Sequence, residues 1–159
     1  SIMANVGVLG AGSWGTALSV LLCEHGHQVT VWSIDREEVK MLTEKREHAA
    51  KLPGVKPPEN LVVTNELQGK IEGKDFLVLA VPSPFTRATA KKMSPYVKEG
   101  QIIVDVAKGI EETTLMTLSQ QIEQEIPQAA GWLWLSSCIC RSTGLPCRDV
   151  LLPCRPGLI

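Results

Sequence analysis

The sequence predicts an α/β domain built on a doubly wound parallel sheet. Short apolar segments alternate with segments of helical periodicity five times along the chain, and the connections between them are short. Because two parallel strands must be joined by a crossover element, this alternation favours a parallel sheet over an antiparallel one. The length of 159 residues is enough for one domain, and a content of 44% hydrophobic and 21% charged residues is typical of globular proteins.

Five segments are predicted to be strands, because they are short, apolar and bounded by turn residues. They are Val6–Leu9, Gln28–Trp32, Leu61–Thr64, Phe76–Val81 and Gln101–Ala107. Pro82-Ser83-Pro84 ends the fourth of them, and Lys108-Gly109 ends the fifth. The stretch 52–61 contains three prolines and a glycine, so it is predicted to be a loop.

The predicted helices lie between and after these strands. They cover residues 16–25, 35 to about 48, 66–71, 85–93 and 112–125. Asp35 and Glu38 have the form of a capping box at the start of the second helix, with Val39 and Leu42 on its inward face. Asn65 is the predicted cap of the third, brief helix.

The composition of the chain changes after residue 127. Residues 128–159 contain no lysine and no glutamate, but they contain four of the five cysteines, at positions 138, 140, 147 and 154. This change predicts one α/β domain over 1–127 and an atypical tail over 128–159, with a sixth strand at 131–136 and irregular structure beyond it. The cysteine spacing differs from the paired spacing of common zinc sites, so no metal site is predicted.

Charge and hydropathy narrow the range of partners. The net charge is −1, which gives no basic field for nucleic acid or anionic lipid. No apolar run reaches the roughly 20 residues needed to cross a bilayer, so no membrane partner is expected. The N-terminal residues lack the basic start of a secretory signal, and a cytoplasmic location is therefore the expectation.

A glycine-rich motif follows the first predicted strand. Gly10, Gly12 and Gly15 have the spacing G-x-G-x-x-G between a strand and a helix, inside a unit of βαβ length. Gly10 permits a tight turn, Gly12 lets the backbone approach a pyrophosphate, and Gly15 permits close packing of the helix on the strand. The following helix start presents free N–H groups to the phosphates. The motif therefore predicts a Rossmann-type site for a nicotinamide dinucleotide.

The end of the second strand determines which dinucleotide is preferred. An acidic residue there usually binds the ribose hydroxyls of NAD. In this chain Ser33 can donate to either cofactor, and Asp35 is interpreted as a helix cap in preference to a ribose ligand. Arg36 either meets a 2′-phosphate or faces solvent. Because no arginine stands directly at the strand end, NAD is slightly favoured over NADP.

Two further strand ends lie on the same side of the predicted sheet. Ligands of open parallel sheets bind beyond the carboxyl ends of the strands. Val81 and Pro82 at the fourth strand are therefore candidate cofactor contacts. Lys108, directly after the fifth strand, is placed to meet an anion, although a lysine in such a turn is often only solvated.

The segment Gly10-Ala11-Gly12-Ser13-Trp14-Gly15-Thr16-Ala17-Leu18 closely resembles the signature of NAD(P)-dependent glycerol-3-phosphate dehydrogenases. The resemblance continues in order through about residues 4–127. The later matching segments are Val29–Trp32, Leu52–Val55, Pro58–Leu61, Ala80–Ser83 and Ala107–Glu111. Other dehydrogenases of the same domain order, such as a 6-phosphogluconate or hydroxyacyl-CoA type, do not fit Trp14-Gly15-Thr16-Ala17.

The resemblance implies an oxidoreductase that interconverts dihydroxyacetone phosphate and sn-glycerol 3-phosphate with NAD(P)(H), supplying glycerophospholipid synthesis. It implies that Ser13 and Trp14 contact the dinucleotide, and that Ile34 and Asp35 lie near the adenosine ribose. It also implies that Lys108 contacts both the cofactor and the phosphate substrate. The family has a basic residue near the ribose in many bacterial members, and its absence here leaves NADP preference in question.

The chain also departs from the family pattern. Leu135-Ser136 is followed by Ser137-Cys138-Ile139, so the family's Ser-Gly-Pro-Ser motif is lost. The family's helical substrate domain, with its lysine general base and its asparagine and arginine for the substrate phosphate, is expected outside this chain. No catalytic residue is therefore assigned within it, and the chain is expected to be inactive alone. A non-catalytic dinucleotide-binding fragment is the alternative, and a homodimer of the full-length protein stays open.

Overall fold

The computed structural model describes residues 2–107, 109–129 and 131–134. Within these residues, six parallel strands form one sheet in the order β3-β2-β1-β4-β5-β6. The strands are β1 (Asn5–Leu9), β2 (Gln28–Trp32), β3 (Val62–Thr64), β4 (Phe76–Leu79), β5 (Ile102–Asp105) and β6 (Gly131–Trp134). The predicted fold class, a doubly wound parallel sheet, is confirmed.

Helices cover both faces of the sheet, because each strand buries side chains on both sides. The helices are α1 (Ser13–Glu24), α2 (Arg36–Lys40), α3 (Thr86–Met93) and α4 (Leu118–Glu125). On one face, Leu77 and Leu79 of β4 pack with Met93 of α3 and Ile122 of α4. On the other face, the neighbouring Val78 packs in a second cluster with residues of β1, β2 and α1. This alternation places α3 and α4 opposite α1.

The charged second helix is shorter than predicted. It ends at Lys40 as an α-helix, continues for one π-helical turn over Met41–Lys45, and stops where Arg46 has φ +53°. The predicted capping box is only half right: the Asp35 carboxylate accepts from the amides of Glu37 and Glu38, whereas the Glu38 side chain turns inward. Leu42 is buried as predicted, but Val39 is only half-buried.

The brief helix predicted over 66–71 does not form. The amides of Lys70 and Ile71 both donate to the carbonyl oxygen of Leu67, which makes a turn, and Gly69 has φ +69°. A left-handed residue interrupts a helical path, and glycine adopts that conformation without strain. The Thr64 hydroxyl, not the predicted Asn65, accepts from the next amide, that of Glu66.

The last helix begins at Leu118 and not near Glu112 as predicted. Thr117 accepts from the Gln120 amide, and the Gln120 side chain accepts from the Thr117 amide, so the two residues form a capping box. This motif is visible in the sequence as Thr117-Leu118-Ser119-Gln120 and fixes the helix start. The residues before it form a closed turn, in which the Leu115 amide donates to the Glu111 carbonyl oxygen.

The carboxyl ends of β4 and β5 also differ from the prediction. β4 ends at Leu79 and β5 ends at Asp105, each two residues earlier than expected. Ala80–Val81 and Val106–Ala107 therefore belong to the loops that surround the carboxyl edge of the sheet. Pro82 precedes a 3-10 turn over Ser83–Phe85, after which α3 starts at Thr86.

Several predictions fall on residues outside the described part of the chain. These are the role of Lys108, the continuation of a strand to residue 136 and the irregular tail with its four cysteines. The division into 1–127 and 128–159 stays a prediction. In the ranges that the structure covers, no helix is long and apolar enough to span a membrane.

Candidate dinucleotide site

A cavity of about 1080 Å³ lies at the carboxyl edge of the sheet, between β1 and β4. The strand order reverses between these two strands, which makes this position the topological switch point of the sheet. Ligands of open parallel sheets bind at this switch point. Most of the candidate residues from the sequence line this one cavity. They are Gly10, Gly12, Ser13, Trp14, Ser33, Ile34, Asp35, Val81 and Pro82. Gly15 does not line the cavity and packs against Gly10, and Lys108 is outside the described residues.

The glycine loop packs tightly at two positions and is open at the third. Gly10 has φ +115°, and a Cβ there would lie 2.8 Å from the carbonyl oxygen of Ala80. A Cβ on Gly15 would overlap the carbonyl oxygen of Gly10, so α1 can approach β1 only without a side chain at this position. At Gly12 a Cβ would meet nothing within 4 Å. The backbone at Gly12 therefore borders open cavity.

The start of α1 points its backbone donors at this opening. Gly12 is the N-cap residue and has no side chain, so no side chain of the cap accepts from the first amides of the helix. Unpaired amides and the positive end of the helix dipole make such a helix start attractive to anions. The twelve-residue length of α1 is enough for a helix dipole to develop.

At the end of β2, polar side chains are bonded mainly to one another. The Ser33 hydroxyl donates to Glu38 Oε1 over 2.8 Å and accepts from the Asp35 amide. The Asp35 carboxylate accepts from the amides that begin α2. Asp35 is thus a helix cap, as the sequence favoured. The sequence predicted that the Ser33 hydroxyl donates to the cofactor, but in the structure it donates to Glu38.

A buried carboxylate next to the cavity, that of Glu38, is bonded to side chains that no sequence prediction connected with it. Glu38 Oε2 lies 2.7 Å from His48 Nε2 and 3.0 Å from Lys51 Nζ, and its side chain is only 8% exposed. Burial on its own would raise the pKa of Glu38, but the hydrogen bonds from His48, Lys51 and Ser33 hold that pKa below its usual value. No local pattern links these positions, because His48 and Lys51 come from the loop after α2.

The same loop is bonded to the glycine motif. The Ser13 hydroxyl donates to the carbonyl oxygen of Lys51 over 2.8 Å. The Lys51 side chain, half-exposed, lines the cavity together with Ser13 and Glu38. Glu38 therefore holds the loop that forms one wall of the site against α2, and Ser13 bonds the same loop to the start of α1.

We expect Glu38→Gln to destabilise the chain by about 2 kcal/mol, because the neutral amide loses charge-assisted bonds and leaves buried donors unpaired. Glu37→Gln is the matched control, since Glu37 is exposed and next to it in sequence. Urea denaturation at pH 7 measures the free energy of unfolding of both variants.

The contribution of Glu38 to stability also depends on pH. The folded pKa of Glu38 is lowered, so this contribution is present above its ordinary pKa of 4.5 and is lost as the pH falls through the folded value. Equal losses in the two variants would contradict the assignment.

Apolar side chains form the remaining walls. Trp14 is 80% exposed and Phe85 is 59% exposed, although both border the cavity. Large exposed apolar groups around a cavity are typical of ligand-binding sites. A helix start for phosphates and apolar walls for planar rings together suit a dinucleotide. The fold and the site thus define a Rossmann-type dinucleotide-binding domain.

The comparisons with known proteins make the assignment specific. The family model described as NAD-dependent glycerol-3-phosphate dehydrogenase N-terminus matches residues 5–137, and the chain belongs to this family. A protein of Agathobacter rectalis named glycerol-3-phosphate dehydrogenase [NAD(P)+] is 61% identical over 127 residues, which are 80% of this chain and 38% of the relative. The namesake from Fusobacterium nucleatum is 44% identical over 126 residues, which are 79% of this chain and 38% of that protein.

Solved structures agree with the sequence relatives. The crystal structure of glycerol-3-phosphate dehydrogenase from Coxiella burnetii matches with a TM-score of 0.74 and 28% identity, over 80% of this chain and 39% of that one. A pyrroline-5-carboxylate reductase from the same organism, at 15% identity and a TM-score of 0.62 over 84% of this chain and 41% of that one, shares the fold alone. The chain spans about 38% of the length of the curated relatives it matches. The family resemblance inferred from the glycine segment is confirmed.

Proposed function

We propose that this chain is the dinucleotide-binding part of an oxidoreductase that interconverts dihydroxyacetone phosphate and sn-glycerol 3-phosphate with NAD(P)(H). The observation that carries the proposal is the opening at Gly12, where the backbone and the first amides of α1 border a cavity large enough for a dinucleotide. The bound cofactor supplies the hydride. The residues of this chain bind and orient it, and the general base is expected in a domain outside the chain.

Each group of residues has a separate task in this proposal. The amides that follow Gly12, together with Ser13, hold the pyrophosphate, and Trp14 packs beside it. Ile34 and Asp35 lie near the adenosine ribose, and Val81 and Pro82 border the central part of the cofactor. Lys108 contacts both the cofactor and the substrate phosphate. The sequence favours NAD slightly over NADP, and a cytoplasmic location and a homodimer stay predictions.

The experiment has two arms. Calorimetric titration of the 159-residue chain with NADH is expected to show weak binding, because only one side of the nicotinamide pocket lies in this chain. The full-length protein is expected to oxidise NADH when dihydroxyacetone phosphate is added. If the full-length protein did not oxidise NADH when dihydroxyacetone phosphate was added, the enzymatic proposal would be refuted.

The second candidate function is a dinucleotide-binding module without catalysis. Its support is the length of the chain, which spans about 38% of its curated relatives. Both proposals predict NADH binding without turnover by the 159-residue chain itself, and only the enzymatic proposal also predicts NADH oxidation by the full-length protein when dihydroxyacetone phosphate is added. Measurable turnover by this chain would rule the module out and would place a proton-transferring group within it.

A further inference from the structure

Arg87, the second residue of α3, is bonded to two other parts of the chain. Its guanidinium group forms a fork with the Glu111 carboxylate, in which Nε donates to Oε2 over 2.8 Å and Nη2 donates to Oε1 over 2.9 Å. Nη1 donates to side-chain oxygens at the end of α4, those of Gln124 and Glu125, over 2.8 Å and 3.0 Å. Arg87 therefore joins α3 both to the loop that follows β5 and to α4.

The contact between Arg87 and Glu111 has the geometry of a strong ion pair. The two side chains are only 27% and 20% exposed, and a bidentate contact fixes the orientation of the carboxylate as well as its position. The Thr114 hydroxyl donates to the same carboxylate. The hydrogen bonds from Arg87 and Thr114 hold the pKa of Glu111 below its usual value, so Glu111 is ionised at neutral pH.

The loop that Arg87 holds in this way forms part of the wall of the large cavity at the carboxyl edge of the sheet. Val106 and Ala107 line this cavity. Further along the loop, Gly109 has φ +135°, and a Cβ there would lie 2.9 Å from Ser83 Oγ. Ser83 belongs to the loop that follows β4 and lines the same cavity. The loop after β5 is thus packed on the loop after β4 at Gly109 and is bonded to the start of α3 at Glu111.

These two loops lie on the side of the cavity away from the end of β2. In the sheet, β1 separates β2 from β4 and β5. A Rossmann domain binds the pyrophosphate at the start of its first helix and the adenosine ribose at the end of its second strand, so the nicotinamide half of the cofactor extends over the other strands. The loops after β4 and β5 therefore border the half of the cofactor that carries the hydride.

Resting on the proposed function, we infer that Arg87 and Glu111 are positioning residues, whose ion pair fixes the loop after β5 so that the nicotinamide ring is held in place for hydride transfer. Neither residue is among those that line the large cavity, so the pair acts through the loop and not by contact with the cofactor. The rate of a reaction depends steeply on the alignment of the reacting atoms. The pair therefore affects turnover more than it affects binding of the adenosine half.

Two substitutions separate this role from a merely structural one, because each removes one carboxylate from the same arginine. Glu111→Gln weakens the contact with the loop, whereas Glu125→Gln weakens only the contact between α3 and α4. In the full-length protein, we expect Glu111→Gln to lower kcat for NADH oxidation with dihydroxyacetone phosphate by about tenfold. Glu125→Gln, the matched control, should lower it by less than about twofold. Arg87→Lys keeps the charge but loses the fork, so it should resemble Glu111→Gln.

Nucleotide binding by the 159-residue chain gives an independent readout. ADP contains only the adenosine and pyrophosphate part of the cofactor, whereas NADH also contains the nicotinamide half. In calorimetric titrations, we expect Glu111→Gln to weaken NADH binding by about threefold and to change ADP binding by less than about twofold.

Three results would overturn this inference while the proposed function stands. They are an equal loss of kcat in Glu111→Gln and Glu125→Gln, a kcat that neither Glu111→Gln nor Arg87→Lys changes, and an equal loss of ADP and NADH affinity in Glu111→Gln. If the unmodified full-length protein does not oxidise NADH when dihydroxyacetone phosphate is added, the proposed function itself fails.

Discussion

Replacing Gly12 with alanine should strongly impair dinucleotide binding while the free energy of unfolding stays within about 0.5 kcal/mol of the original. Gly12 has φ −68° and ψ −170°, a conformation that alanine adopts readily, and a Cβ there meets no protein atom within 4 Å. The added methyl would instead fill the space where a pyrophosphate approaches the backbone. We expect NADH affinity to fall on the order of 100-fold, or about 3 kcal/mol.

Gly15→Ala should have the opposite profile, since its Cβ would overlap the backbone carbonyl oxygen of Gly10. A clash with backbone is not relieved by rotating a side chain, so α1 must move away from β1. We expect a loss of about 3 kcal/mol or more in the free energy of unfolding. Urea denaturation and NADH titration of both variants provide the measurement, and each variant serves as the control for the other.

The outcome that would contradict this pair of expectations is specific. If Gly12→Ala unfolded the chain as readily as Gly15→Ala, the space at Gly12 would be needed by the protein and not by a ligand. If Gly12→Ala bound NADH normally, the pyrophosphate would lie elsewhere. Either result would remove the observation on which the proposed site depends.

The sequence predicts well what is decided by local pattern. β2 has the predicted bounds, and β1 differs by one residue, because a buried parallel strand is a continuous apolar run between turn residues. The glycine spacing likewise located the loop that borders the cavity, because Gly10 and Gly15 make close backbone contacts that a Cβ would prevent and Gly12 leaves its backbone open to the cavity. These features depend on a few neighbouring residues, so they can be predicted from the sequence without knowledge of the fold.

Features decided by contacts between distant residues were not predictable. Glu38 looked like the second member of a capping box, but burial and its bonds to His48 and Lys51 turn it inward. Tertiary hydrogen bonds to a carboxylate outweigh the weak preference for a local cap. In the same way, no sequence pattern singles out Lys92, and only the packing of α3 brings it to a second cavity, which Arg36 also lines.

A second large effect is expected at Asp105, the last residue of β5. Its side chain is 1% exposed, Oδ1 accepts from the Ala107 amide over 2.9 Å, and Oδ2 has no hydrogen-bond partner among the described residues. Burial raises the pKa of Asp105 from 3.8 to about 6. The folded state therefore prefers the protonated carboxyl, and the ionised form at neutral pH costs stability.

The direction of the pH dependence follows from this raised pKa. The unfolded chain releases the Asp105 proton near pH 3.8 and the folded chain only near pH 6. The free energy of unfolding therefore falls as the pH rises from 3.8 to 6. The total loss across this window is about 3 kcal/mol, since each pKa unit corresponds to about 1.4 kcal/mol. Asp105→Asn keeps the Oδ1 acceptor and removes the charge, and with it this pH dependence.

We therefore expect the effect of Asp105→Asn on the free energy of unfolding to be more favourable at pH 7.5 than at pH 4 by about 2 kcal/mol. Comparing the two pH values cancels any constant cost of the new amide group. Glu99→Gln is the control, because Glu99 is exposed and its substitution should change stability by no more than about 0.5 kcal/mol at either pH. An Asp105→Asn effect that is the same at both pH values would show that the carboxylate is ionised without penalty in the folded chain. Since Asp105 lies two residues before Ala107, which lines the large cavity, a confirmed penalty would place a stability cost at the edge of the proposed site.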